Sequence, residues 1–237
     1  MSLVNRLKRS LRRECQSSAA ATTVAVVPAV PGPGDAEGFV SYVTTYLHGW
    51  CSRQKALKLY QLVRSARPEV IVEIGVFGGR SLLPMCYALR ENARGVAYGI
   101  DAWSPAASTE FATSEANDEW WRTVDYGMVK ASFFRALVDA GLASFARVVE
   151  TDSARAAPIF DCIDVLHIDG AHSAEAAAAD VRNYVPKVQS GGYIIFDDVD
   201  WETTASAVKM VEEVADTVEL IADRPDARAN CAFFKKR

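Results

Sequence analysis

Two apolar runs in this sequence end in carboxylates. The run 163–168 closes in Asp169-Gly170-Ala171-His172, and the run 193–196 closes in Asp197-Asp198. If both runs are strands and neighbours in a parallel sheet, their ends lie only about 5 Å apart. Three aspartates crowded into one cleft oppose each other's ionisation. A hard divalent cation resolves that conflict, and an all-oxygen set points to Mg2+, with Mn2+ or Ca2+ as alternatives. Asp169, Asp197 and Asp198 are therefore the candidate metal ligands. His172, just past Asp169, is placed to accept a proton from a hydroxyl near neutral pH, and Asp169 is the other candidate base. Plainer roles stand beside these: Asp197 or Asp198 can cap the next helix, and His172 can be a capping or surface histidine.

A second constellation follows an earlier apolar run, Glu73-Ile74-Gly75-Val76-Phe77-Gly78-Gly79-Arg80-Ser81. Gly75 and Gly78 allow a tight turn and close approach of backbone to a ligand. A dinucleotide site would want G-x-G-x-x-G for its pyrophosphate, and Val76 and Phe77 break that fingerprint. Glu73 also puts negative charge where a diphosphate would pass. A cationic, amine-bearing ligand suits it better. Asp101, at the end of the next run, has the spacing of a carboxylate that holds a ribose hydroxyl pair. Together these favour S-adenosylmethionine over a nicotinamide nucleotide. A tight turn with helix-capping carboxylates remains the structural alternative.

The elements that must position these residues are legible in outline. Asp35 and Ser52 each cap a helix, to about 48 and 66, the second with Ala56, Leu59, Tyr60 and Val63 as its stripe. A strand at 70–74 without polar alternation is what a sheet covered on both faces requires. Helices near 80–91, 128–140, after Ser153, from Ser173 and near 203–215 alternate with strands at 96–100, 147–150, 163–168 and 193–196. The runs 218–222 and 231–234 read as a closing pair, with Gly191-Gly192 as the turn into 193–196. Strands separated by helices of this length predict an α/β fold with a doubly wound sheet. The region 102–126 shows no steady period. Its Trp103, Phe111, Trp120, Trp121 and Tyr126, with Phe39, Tyr42 and Tyr46, predict an aromatic lid over an acceptor pocket, or core and oligomer contacts.

Composition narrows the function classes. Lysine and arginine number 26 against 30 acidic residues, a net charge of −4 that disfavours a nucleic-acid binder. No run is long and apolar enough to span a membrane. The five cysteines, Cys15, Cys51, Cys86, Cys162 and Cys231, are odd in number and form no CxxC, so all are expected to be unpaired in a reducing, cytoplasmic setting. Residues 1–34 differ from the rest: a basic amphipathic start, a Ser/Ala/Thr/Val stretch, then a Pro/Gly linker. They are expected to be a mobile basic arm rather than a signal peptide.

The runs 72–81, Gly99-Ile100-Asp101-Ala102-Trp103, 168–173 and 191–198 resemble the class I S-adenosylmethionine-dependent methyltransferases, in the branch of macrocin-type O-methyltransferases and cephalosporin hydroxylase-like proteins. The similarity covers roughly 68–200. It implies a Rossmann-like, seven-stranded, mostly parallel sheet with helices on both faces, and one methyltransferase domain over 35–237 with a helical cap at 35–67. It also implies cofactor contacts. Glu73, Gly75 and Gly78 would line the methionine end, with Ser81 near its carboxylate. Asp101 would hold the ribose, Ala102 and Trp103 would flank the adenine, Asp152 and Ser153 would meet the adenine edge, and Asp169 would close the cleft. Asp169, Asp197 and Asp198 match the ligands of metal-dependent members. His172 stands where related catechol-type enzymes carry a lysine.

The expected reaction is O-methylation of a small-molecule hydroxyl, on a sugar, phenol or natural product, by a homo-oligomer. The cofactors implied are S-adenosylmethionine and Mg2+ or another divalent cation. Metal-independent transfer and a non-catalytic cofactor-binding subunit are the alternatives. A hydroxylase is disfavoured, because only three histidines (His48, His167 and His172) occur in the chain.

Overall fold

Short polar side chains start the helices where the sequence placed them. Asp35 Oδ1 accepts from Gly38 N (2.8 Å) to open α1 (Ala36–Tyr46), and Ser52 Oγ accepts from Lys55 N (3.2 Å) to open α2 (Arg53–Ala66). Arg67, in the left-handed region at φ 50°, closes α2, and Pro68 follows. This computed structural model describes residues 28–109, 115–223 and 229–237. Most of the expected arm, with Cys15, and the lid residue Phe111 lie outside the described residues.

From there strands and helices alternate: β1 (Val70–Ile74), α3 (Leu82–Asn92), β2 (Val96–Asp101), α4 (Pro105–Ser108), α5 (Glu115–Thr123), α6 (Tyr126–Asp139), β3 (Ala146–Glu150), α7 (Ser153–Ala156), β4 (Ile163–Ile168), α8 (Ala174–Tyr184), β5 (Val188–Asp197), α9 (Ala205–Glu212), β6 (Ala215–Ile221) and β7 (Cys231–Lys236). The seven strands form one sheet in the order β3-β2-β1-β4-β5-β7-β6. β1 to β5 pair in parallel, and β7 runs antiparallel to both β5 and β6. The doubly wound reading therefore holds, and its closing pair of strands, β6 and β7, is antiparallel.

Alternation along the strands divides the core in two. Ile71, Ala97, Val165, Ile195 and Phe233 pack under α1, α2, α3 and α6, while Val72, Ile74, Leu166, Ile168, Ile194 and Phe196 pack under α7, α8 and α9. The first set shares its sheet face with Glu73, His167 and Asp197, so polar groups are built into an otherwise apolar layer.

Two expectations change. β5 begins at Val188 rather than after the Gly-Gly pair. Gly191 takes φ 78° inside the strand, and the pairing with β4 shifts register between Ile163 and Val165, so the glycines make an irregularity in the ladder instead of a terminus. Across 102–126, where no period is readable, two short helices form, α4 and α5.

Candidate active site at the carboxyl edge of the sheet

The strand order reverses between β1 and β4, and a ligand cleft belongs outside the carboxyl ends of strands at such a point. The loops there are tightly drawn. Gly75 has φ 87°, and a Cβ on it would stand 2.0 Å from the carbonyl oxygen of Asp169. A Cβ on Gly78 would stand 2.1 Å from the carbonyl oxygen of His48, in the loop between α1 and α2. Three residues with side chains also adopt left-handed backbone at strand ends: Phe77 (φ 46°), Trp103 (φ 39°) and Asp198 (φ 53°). Such strain persists where surrounding structure over-determines it, which is common at functional sites.

Asp101 shapes this turn. Its Oδ2 accepts from Val76 N (3.0 Å) and Phe77 N (2.8 Å), and its Oδ1 accepts from Trp103 N (2.7 Å). Loss of hydration raises its pKa against the pull of these donors. Ala102 follows at the partly exposed rim. Trp103, expected beside an adenine, is buried instead, stacked on Phe133 at 6.0 Å with its indole N–H donated to Phe77 O (2.9 Å). Asp152 caps α7 by accepting from Arg155 N (2.9 Å), and Ser153 Oγ donates to Asp180 Oδ1 (2.5 Å). Ser81 is buried at the start of α3.

The aspartates meet, but in two groups that share Asp169. Ile168 pairs with Phe196, so Asp169 and Asp197 lie side by side at the tips of β4 and β5. One group joins His167, Asp169 and Asp197. The other joins Asp169, His172 and Asp198, and in each group the ligand atoms lie within 4.8 Å of one another. The single three-aspartate set expected from sequence is thus divided, because successive residues on a strand point to opposite sides and Asp198 turns away through its left-handed backbone. In the outer group His172 Nε2 is 2.6 Å from Asp198 Oδ2, and its ring stacks on Trp201 at 4.7 Å.

The inner group contains a residue the sequence reading passed over. Lys55, on the first turn of α2 and 1% exposed, reaches down to pair with Asp197 Oδ2 and lies 3.5 Å from Asp169 Oδ2. Burial alone would lower its pKa, but Asp169 and further neighbours outweigh that and hold the ammonium above its ordinary value. Asp197 Oδ2 also meets His167 Nε2 at 3.2 Å, and His167 Nδ1 meets Glu73 Oε1 at 2.6 Å. Glu73, expected at the methionine end of a cofactor, is wholly buried against this histidine. A signal for Lys55 existed: it is four residues before Leu59 and so on the apolar stripe of α2. His167 and Glu73 occupy paired positions on adjacent strands, which no reading of one strand alone reveals.

An aromatic group lines one side of the turn. Trp50, 53% exposed, stacks on Phe77 at 5.5 Å and meets Trp120 and Trp121 edge-on at 5.1 and 5.8 Å. Trp120 and Trp121 were expected in such a lid; Trp50 and Phe77 were not.

Comparison with known proteins gives consistent results. Residues 72–199 match the family model described as a methyltransferase domain. Among solved structures, the chain is similar to the O-methyltransferase NovP (22% identity, 78% of this chain and 80% of that one, TM-score 0.59). It is also similar to TomG of Streptomyces achromogenes, an O-methyltransferase of tomaymycin synthesis solved with S-adenosylmethionine (16% identity, 100% and 99%, TM-score 0.57). A third is cofactor-bound Rv0187 from MTB (16% identity, 94% and 96%, TM-score 0.57). A curated relative, the uncharacterized protein y4gI of Sinorhizobium fredii, is 24% identical over 140 residues, 59% of this chain but only 14% of the relative's own length. No helix among the described residues is long and apolar enough to cross a membrane.

Proposed function

Because the chain belongs to the methyltransferase-domain family, we propose that its cleft methylates a hydroxyl oxygen of a small molecule. The observation that carries this reading is the outer group, Asp169, His172 and Asp198, gathered at the carboxyl edge where the strand order reverses, beside a glycine turn packed tightly against the loops that carry Asp169 and His48.

When bound, S-adenosylmethionine supplies a methyl on a sulfonium, so that forming the O–CH3 bond breaks the C–S bond and leaves S-adenosylhomocysteine. The chain's share is alignment and proton removal. Gly75 and Gly78 let the backbone approach the methionine part, with Ser81 beside it. Asp101 and Asp152, at the ends of the next two strands, offer carboxylates toward the nucleoside. His172 takes the hydroxyl proton, its ring fixed by Asp198 on one side and Trp201 on the other. Trp50, Phe77, Trp120 and Trp121 form an apolar wall suited to a flat phenol or the apolar face of a sugar.

The donor set of the outer group, two carboxylates and an imidazole, fits a divalent cation. Held by Asp169 and Asp198, with His172 beside them left as the base, such an ion would supply Lewis-acid stabilisation of the deprotonated hydroxyl. The 2.6 Å contact between His172 and Asp198 favours a second reading, in which the pair works as a base without metal.

Calorimetry tests the proposal: S-adenosylmethionine and S-adenosylhomocysteine should bind at micromolar levels and NAD should not. Flat titrations with both sulfur compounds would overturn it. Transfer of a labelled methyl to small phenols and sugars then separates an enzyme from a cofactor-binding subunit.

A further inference from the structure

We propose that Lys55 is the resident cation of the inner acidic pair, so that Asp197 is not a metal ligand and a divalent ion is confined to the outer group of Asp169, His172 and Asp198.

The ammonium already occupies the place a metal bridging Asp169 and Asp197 would need. It bonds Asp197 Oδ2 and lies 3.5 Å from Asp169 Oδ2. Asp197 Oδ2 also faces His167 Nε2 at 3.2 Å, so this oxygen is held twice within the protein, while Oδ1 is buried without a hydrogen-bond partner among the described residues. The lysine is anchored at its other end as well. Ser52 Oγ accepts from Lys55 N, and Ser52 N donates to Asp223 Oδ1 at 2.9 Å, so the first turn of α2 is fixed above the strand tips. At 1% exposure the side chain is held out of water along its length.

Placing a dication between Asp169 and Asp197 would therefore strand a buried ammonium without its partner, or set two positive ions in contact. Either is costly in an apolar layer. The outer group is more open: its His172 and Asp198 side chains are 25% and 16% exposed. Lys55 is on these grounds a positioning residue: it holds Asp197 and one side of Asp169 in place, and leaves Asp169 its other side for the cleft. The inference goes beyond the methyl-transfer reading, and S-adenosylhomocysteine binding, measured in the same proteins, keeps the two distinguishable.

The test is Mn2+ titration followed by electron paramagnetic resonance, in wild type, Lys55→Met and the double variant Lys55→Met/Asp197→Asn. Lys55→Met should bind Mn2+ at least tenfold more tightly than wild type, because Asp169 and Asp197 are then left facing each other without a cation. The double variant should return to the wild-type response. A role confined to packing would leave Mn2+ binding unchanged in Lys55→Met, and that result would overturn the proposal. If Lys55→Met does not fold, the charge-neutral double variant decides. Wild-type Mn2+ binding in it supports the assignment, and a tenfold loss makes Asp197 a ligand.

Discussion

His167 Nδ1 lies 2.6 Å from Glu73 Oε1 with neither side chain exposed, and the opposite ring nitrogen is 3.2 Å from Asp197 Oδ2. With a neutral ring, only one proton arrangement satisfies both contacts. A neutral Glu73 donates to Nδ1, and Nε2–H donates to the Asp197 carboxylate. An ionised Glu73 would accept from Nδ1–H of the neutral ring and leave the Nε2 lone pair aimed at a carboxylate. Burial favours the first arrangement, pushing Glu73 up to about 8 and His167 down to about 3, with Lys55 adding to the latter. The network then runs neutral acid, neutral imidazole, carboxylate, ammonium.

Stability should therefore respond to Glu73→Gln in a pH-dependent way. Glu73 releases its proton near 4.5 when unfolded and near 8 when folded, so its contribution is whole below 4.5 and is lost as pH rises through 8. Glutamine imitates the neutral acid and cannot ionise. In urea unfolding the variant should gain on wild type by a few kcal/mol between pH 5 and 8.5. His167 acts in the opposite sense: its contribution is whole above 6.5 and is lost as pH falls toward 3. A stability difference independent of pH would place Glu73 in the ionised state.

Replacing His172 by Ala should lower kcat by about 10²- to 10⁴-fold at pH 7, the usual weight of general-base catalysis, with S-adenosylhomocysteine affinity within about twofold of wild type. Asp198→Asn should lower kcat in the same direction and move the acidic limb of the pH–rate profile, because it removes the group facing Nε2. An unchanged profile in both variants would exclude His172 as base.

Turnover should disappear in EDTA and return with Mg2+, while S-adenosylhomocysteine binding survives the chelator. Full activity in EDTA would assign the proton to the His172–Asp198 pair alone.

Gly75→Ala should unfold the domain more readily by about 2 kcal/mol or more, since φ 87° is strained for alanine and its methyl would meet Asp169 O at 2.0 Å. A thermal scan reads this directly. A wild-type melting temperature would show that the β1 and β4 loops can separate at no cost.

Much of this architecture was legible because its signals are local. Caps at Asp35, Ser52 and Ser173, the continuous apolar strands, and carboxylates placed just past strand ends each depend on a few neighbouring residues. The short helices across 102–126 were not legible, since α4 and α5 carry no apolar stripe long enough to show a period.

The sequence by itself determined the alternating layers, the glycine turn, and the gathering of Asp169, His172, Asp197 and Asp198 at one edge, because period and spacing encode strand ends directly. Only the tertiary structure decided how those acids are shared. Lys55 reaches Asp197 across 142 positions of chain and His167 reaches Glu73 across 94, and both pairings arise from helix-on-sheet packing and strand order. Charge partners so distant along the chain leave no mark on the local pattern of either segment.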